Sequence, residues 1–139
     1  MDPAGAMRTA YELINADDLN GFGAMLSDDF VEHEAAPGLP PTKEGVLQFF
    51  AMIRAGFPDL RFEPELVLVD GDTAAAYFRF TGTQSGEFMG IPPTGKSVDV
   101  HGVDIVRFGD DGISHEHWGV FDSMTMMQQL GIAPPGTPA

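Results

Sequence analysis

The sequence has no cysteine, few cations and no long apolar run, and each absence removes a class of function. Without cysteine there can be no disulfide, thiolate nucleophile, zinc finger or iron–sulfur cluster. Only 7 Lys and Arg stand against 21 Asp and Glu, a formal net charge of −14. A field of that sign repels polyphosphate, which argues against nucleic acid and against an anionic membrane surface. No apolar stretch approaches membrane length, and the start, Met1-Asp2-Pro3-Ala4-Gly5-Ala6, lacks a basic targeting region. These features predict a cytoplasmic chain. A Gly-x-Ser-x-Gly elbow, a dinucleotide fingerprint and a phosphate loop are also missing from the sequence.

What is present is an ordinary globular balance: 139 residues, 43% apolar and 20% charged, enough for one core. We expect one domain over residues 1–131 and a loose Pro/Gly tail over 132–139 (IAPPGTPA). Helical spacing of Met7, Ala10, Tyr11, Leu13 and Ile14 predicts a helix over residues 4–16. Asp18 can cap a second helix carrying Leu19, Phe22, Met25 and Leu26. Residues 30–34 read as a short strand, and Thr42 caps a third helix that ends near Gly56, ahead of Pro58. Strands are predicted over 60–69, 73–83, 97–108 and 113–121, with a closing helix from Met124 to Leu130. Helices followed by an antiparallel meander form an α+β pattern, a curved sheet wrapped on helices around a cavity.

The last hairpin carries most of the chemistry. A two-residue turn at Asp110-Asp111 would set Gly109 opposite Gly112, His101 opposite Val120 and Asp104 opposite His117. One face then holds His101, Val103, Ile105 and Arg107 with Glu116, Trp118, Val120 and Asp122; the other holds Asp104 with His115 and His117. On the first face, Asp122 beside an indole, an imidazole and Asp99 should have a raised proton affinity, as a general acid/base needs. Its plainer role is to cap the closing helix. On the second, Asp104 could orient His117 for catalysis, or the two could form a structural buried pair. His115-x-His117 is an incomplete metal fragment, so no metal or other cofactor is expected. Arg79, alone in an apolar strand, is either a surface charge or a pocket cation.

The run from Thr81 to Lys96 (TGTQSGEFMGIPPTGK) resembles the signature of SnoaL-like polyketide cyclases. Gly102-Val103-Asp104-Ile105-Val106-Arg107, then Glu116-His117-Trp118 with Asp122 after it, continue the resemblance, as do Glu32-His33 and Pro37-Gly38. It spans about Tyr11 to Gly131. It implies the nuclear transport factor 2-like fold, a cone of curved antiparallel sheet closed by helices. It also implies cofactor-free intramolecular aldol closure of an aromatic polyketide. Asp122 is the best match to the family's acid/base residue, with His101 or His33 to polarise the developing oxyanion. Trp118, Tyr11 and Phe50 would wall the pocket of an apolar polycyclic or polyketide-like ligand. Gln84 and Gly119 stand where many or some relatives carry His and Asp. Because ketosteroid isomerases, epoxide hydrolases and binding domains share the cone, hydrolysis by Asp122 with Arg79, isomerisation and non-catalytic binding are the alternatives. The outer sheet face, with few charges near Val100 to Val106, is expected to bury itself in a homodimer.

Overall fold

A computed structural model describes residues 2–132; the part of the expected tail beyond Ile132 lies outside them. The order is α1 (Pro3–Asn15), α2 (Leu19–Ala24), β1 (Leu26–Glu32), α3 (Lys43–Gly56), β2 (Arg61–Asp70), β3 (Thr73–Thr83), β4 (Ser97–Phe108), β5 (Ser114–Phe121) and α4 (Ser123–Gln129). Helix starts follow side-chain caps. Asp2 accepts from the Gly5 amide at 2.7 Å, with Pro3 in the first turn, and Asp18 accepts from Gly21 at 2.9 Å. Thr42 caps α3. The second helix is shorter than its apolar spacing predicts: Met25 is its C-cap, and Leu26 already opens β1. That strand therefore begins before Phe30 and ends at Glu32.

The sheet runs in the order β1-β5-β4-β3-β2. β2 to β5 form the antiparallel meander, whereas β1 joins the edge parallel to β5, with Val31 opposite Glu116 and Glu32 opposite His117. Strand alternation sends Ala74, Ala76, Phe78 and Phe80 of β3, with Val98, Val100, Val106 and Phe108 of β4, into one core. The helices cover that face with Met7, Tyr11, Ile14, Phe22, Val46 and Ile53. Asn15 ties α1 to the sheet by treating Phe62 as a strand partner would. Its side chain donates to the Phe62 carbonyl at 2.8 Å and accepts from the Phe62 amide at 2.7 Å.

Gln84, which is fully buried, organises the loop between β3 and β4. Its amide donates to the carbonyls of Ile91 and Pro92 at 3.1 and 3.2 Å, and its oxygen accepts from the Thr94 hydroxyl at 2.8 Å. Each group left unpaired there would cost about 1–3 kcal/mol. The loop so held carries Phe88 back onto Phe57, with ring centroids 5.4 Å apart. Among the described residues no helix is long and apolar enough to cross a membrane.

The opposite sheet face is partly apolar and open. Val31, Tyr77 and Val120 are 41%, 44% and 67% exposed. Between them lie stacked pairs: His33 on Trp118, with centroids 4.6 Å apart, and Tyr77 on His101 at 4.8 Å.

Candidate active site

The β4–β5 hairpin pairs with a register two residues away from the one the short turn predicts. Asp104 stands opposite Gly119 and Val106 opposite His117, and the ladder slips between Arg107 and Phe108. The turn is wider than two residues because the Gly109 amide reaches the Ile113 carbonyl at 2.8 Å. A shift by an even number keeps the side chains on their expected faces as far as the slip. Beyond the slip, the fragment His115-x-His117 comes apart. His115 turns to Asp29, 4.0 Å away, while His117 points into the fold.

Between the helices and the inner sheet face lies a cavity of about 510 Å³. Tyr11, Phe22, Phe50, Phe62, Phe78 and Phe80 supply much of its wall, and Glu34, Pro40, Met89 and Phe121 lie toward its exposed rim. Four interacting polar side chains meet inside it. His117 donates from Nδ1 to Glu32 Oε2 at 2.6 Å and from Nε2 to Asp104 Oδ1 at 2.7 Å. Asp104 Oδ2 accepts from the Tyr11 hydroxyl at 2.6 Å.

Each member is placed by its element. β1 contributes Glu32 because Phe30, one alternation earlier, belongs to the core. α1 contributes Tyr11 from its buried stripe. Gly119 makes the cluster possible, since a Cβ there would stand 2.8 Å from His117 Nε2 and 3.0 Å from Asp104 Oδ1. The two side chains occupy the space that a residue at 119 would need.

Two carboxylates facing both ring nitrogens require both to carry protons, so His117 is an imidazolium here. Burial opposes that charge, but the hydrogen bonds and fields of Asp104 and Glu32 outweigh it and push the group up to about 10. Burial, reinforced by Asp104, raises Tyr11 well above the ordinary phenol range. Tyr11 therefore stays a neutral donor. With neither ring nitrogen free, His117 has no lone pair for a metal. Among the described residues, no group of three or more His, Cys, Asp or Glu side chains is arranged to hold a metal ion.

The other expected site residues lie elsewhere, and the first-face assignment needs correcting. Asp122 is exposed and caps α4, accepting from the Thr125 amide at 3.0 Å and its hydroxyl at 2.6 Å. Those two bonds lower its proton affinity, the reverse of what an indole neighbour would have done. Trp118 stacks instead on His33, which bonds to Glu116 at 2.8 Å. His101 bonds to Glu65 at 2.5 Å, and Arg79 forms a two-pronged bond with Asp99. All of these except Asp122, at the strand's end, lie on the outer sheet face, where Arg79 is a surface charge. Tyr11 and Phe50 do line the cavity, as expected; Trp118 does not. Glu32 was absent from the sequence assignment, although the spacing Phe30-x-Glu32 carried the signal.

Comparison with known proteins agrees with this fold. A family profile for SnoaL-like polyketide cyclases matches residues 4–130. No protein of curated function matches the sequence. Among solved structures, IdmH of Streptomyces antibioticus, described as a candidate polyketide cyclase, is 33% identical, with a TM-score of 0.83 over 95% of this chain and 100% of its own. AclR of Streptomyces galilaeus, a candidate hydroxylase, is 29% identical, with a TM-score of 0.83 over 95% and 97%. TsrD of Streptomyces laurentii is 25% identical, with a TM-score of 0.83 over 94% and 95%. The fold is thus the nuclear transport factor 2-like one expected from the sequence.

Folding lifts His117 from an ordinary 6.5 to about 10, which ties stability to pH. Between those values the unfolded chain holds fewer protons than the folded one, so stability falls as pH rises. The contribution is complete below about pH 6.5 and disappears as pH climbs through about 10. Urea midpoints measured across this range should fall steadily, and less steeply in His117→Gln. A flat wild-type profile would contradict the assignment.

Proposed function

Since the chain belongs to the SnoaL-like polyketide cyclase family, we propose that it closes a ring in an apolar polyketide-like substrate by cofactor-free aldol chemistry, with Asp104 as the acid/base. The observation that carries this reading is a carboxylate inside an aromatic cavity, braced by an imidazolium and a phenol. Ring closure of this kind removes a proton from a carbon beside a carbonyl, joins that carbon to a second carbonyl carbon, and protonates the resulting alkoxide.

Each carboxylate oxygen of Asp104 accepts one bond and retains lone-pair capacity for the substrate C–H. Asp104 takes that proton and later returns it to the alkoxide. The positive His117 offsets the charge on the carboxylate and on the enolate that replaces it. Glu32 holds the ring in place from its far nitrogen. Tyr11 can turn its hydroxyl from Asp104 to the carbonyl oxygen as negative charge develops there. The flat walls hold both reacting carbons together, and such positioning supplies much of the rate.

The test compares two carboxylates. Hydrogen–deuterium exchange at the α-carbon of 2-tetralone, followed by NMR, reports proton abstraction without requiring the natural substrate. Wild-type protein should accelerate exchange, and Asp104→Asn should slow it roughly a hundredfold. Asp122→Asn, which keeps the α4 cap, should leave it unchanged. If Asp122→Asn instead loses the exchange and Asp104→Asn keeps it, the acid/base lies at the end of the hairpin. Absence of any acceleration by wild type would favour a non-catalytic binding protein.

We also propose that the outer sheet face pairs two copies, because exposed Val31, Tyr77 and Val120 share it. Sedimentation velocity should give a dimer at micromolar concentration and a monomer for Val120→Glu. A wild-type monomer would refute the pairing.

A further inference from the structure

We propose that Ser114 is a ligand-contacting residue of the cavity: its hydroxyl bonds a hydroxyl or carbonyl oxygen at the end of the ligand remote from Asp104. This rests on the preceding reading of the cavity as the ligand site and adds a second polar anchor to it. Among the described residues the buried polar side chains are Gln84 and Ser114. Gln84 spends its side chain on the β3–β4 loop. Ser114 is 4% exposed and lines the cavity, and its hydroxyl has no hydrogen-bond partner among the described residues. No side-chain oxygen sealed inside the described fold is left unpaired, so this hydroxyl is open to the cavity.

The backbone aims it there. Pairing passes from Arg107 opposite Glu116 to Phe108 opposite Ser114, which makes His115 an extra residue on β5, a bulge. The extra residue turns Ser114 to the same side as His117, although the two stand an odd number of positions apart. His115 faces Asp29 instead. Ser114 is held from both sides, since it also stands opposite Leu26 of β1 and its amide donates to the Met25 carbonyl at 2.7 Å. No base is at hand to make it a nucleophile, because His117 has both ring nitrogens committed. What remains is recognition. A serine hydroxyl both donates and accepts, and burying one without a partner is unfavourable. A ligand oxygen satisfies it, whereas its strand neighbours Leu26 and Phe108 offer only apolar side chains. Phe108 is four positions beyond Asp104 on β4, so Ser114 stands about 13 Å along the wall from Asp104, at about 3.3 Å per residue. A ligand that meets both is therefore elongated, with oxygens at its two ends.

Two probes of one shape test this: 6-acetyl-2-naphthol, with oxygens at opposite ends, and 2-acetylnaphthalene, which lacks the hydroxyl. Dissociation constants are measured by NMR titration for wild type and Ser114→Ala. The substitution should weaken 6-acetyl-2-naphthol about fivefold, as loss of one hydrogen bond between uncharged groups does, and leave 2-acetylnaphthalene within about twofold. The thermal midpoint of Ser114→Ala should not fall, since no hydrogen bond within the protein is lost. Equal weakening of both probes, or of neither, would overturn the inference while leaving the pocket reading intact. So would a lowered midpoint, which would mean that the hydroxyl already serves the fold. Failure of both probes to bind wild type would overturn the pocket reading, and the inference with it.

Discussion

His117 gives both of its ring protons to carboxylates, and the inner architecture is organised around that arrangement. Glu32 reaches it only because β1 docks parallel to β5 at the sheet edge. Asp104 reaches it diagonally from β4, across a Gly119 whose missing side chain leaves the room. Tyr11 closes the set from α1, and α1 is itself fixed to β2 through Asn15 and Phe62. Removing His117 would leave two buried carboxylates without the cation they share, which carries a large penalty. The helix α1, the strand β1 and the β4–β5 hairpin are thus tied together by one small ionic cluster.

The fold was largely legible in the sequence. Caps at Asp18 and Thr42 and the stop ahead of Pro58 are local signals, and local signals set element boundaries. The strands β3 and β4 fall at the residues that alternation predicts. The apolar run through Met25 and Leu26 misled because either helix or strand can bury such a pair; the parallel partner β5 decides for strand.

The site was legible only in part, for a reason of the same kind. Alternation gave the two faces of the hairpin correctly as far as Arg107 and Glu116, where the register is displaced by an even number; nearer the turn Ser114 and not His115 faces inward. Nothing in a single strand pair says which face looks inward. That depends on the helices, whose buried stripes lie against Ala76, Phe78 and Val106 and so against the Asp104 face. Asp122, His101, Arg79 and Trp118 had plausible chemistry on paper, yet they find partners in Thr125, Glu65, Asp99 and His33 at the surface or strand end. Glu32 was hidden because its partner strand is remote in sequence, though Phe30 two residues earlier marks its direction.

The account stands or falls on the charge of His117, since an imidazolium held by two carboxylates is what braces Asp104. Imidazole ¹⁵N chemical shifts of histidine-labelled protein at about pH 8, assigned with His117→Gln, measure that charge directly. Both His117 nitrogens should show the protonated shift there and lose it only as pH approaches about 10. One protonated and one bare nitrogen at pH 8 would contradict the account.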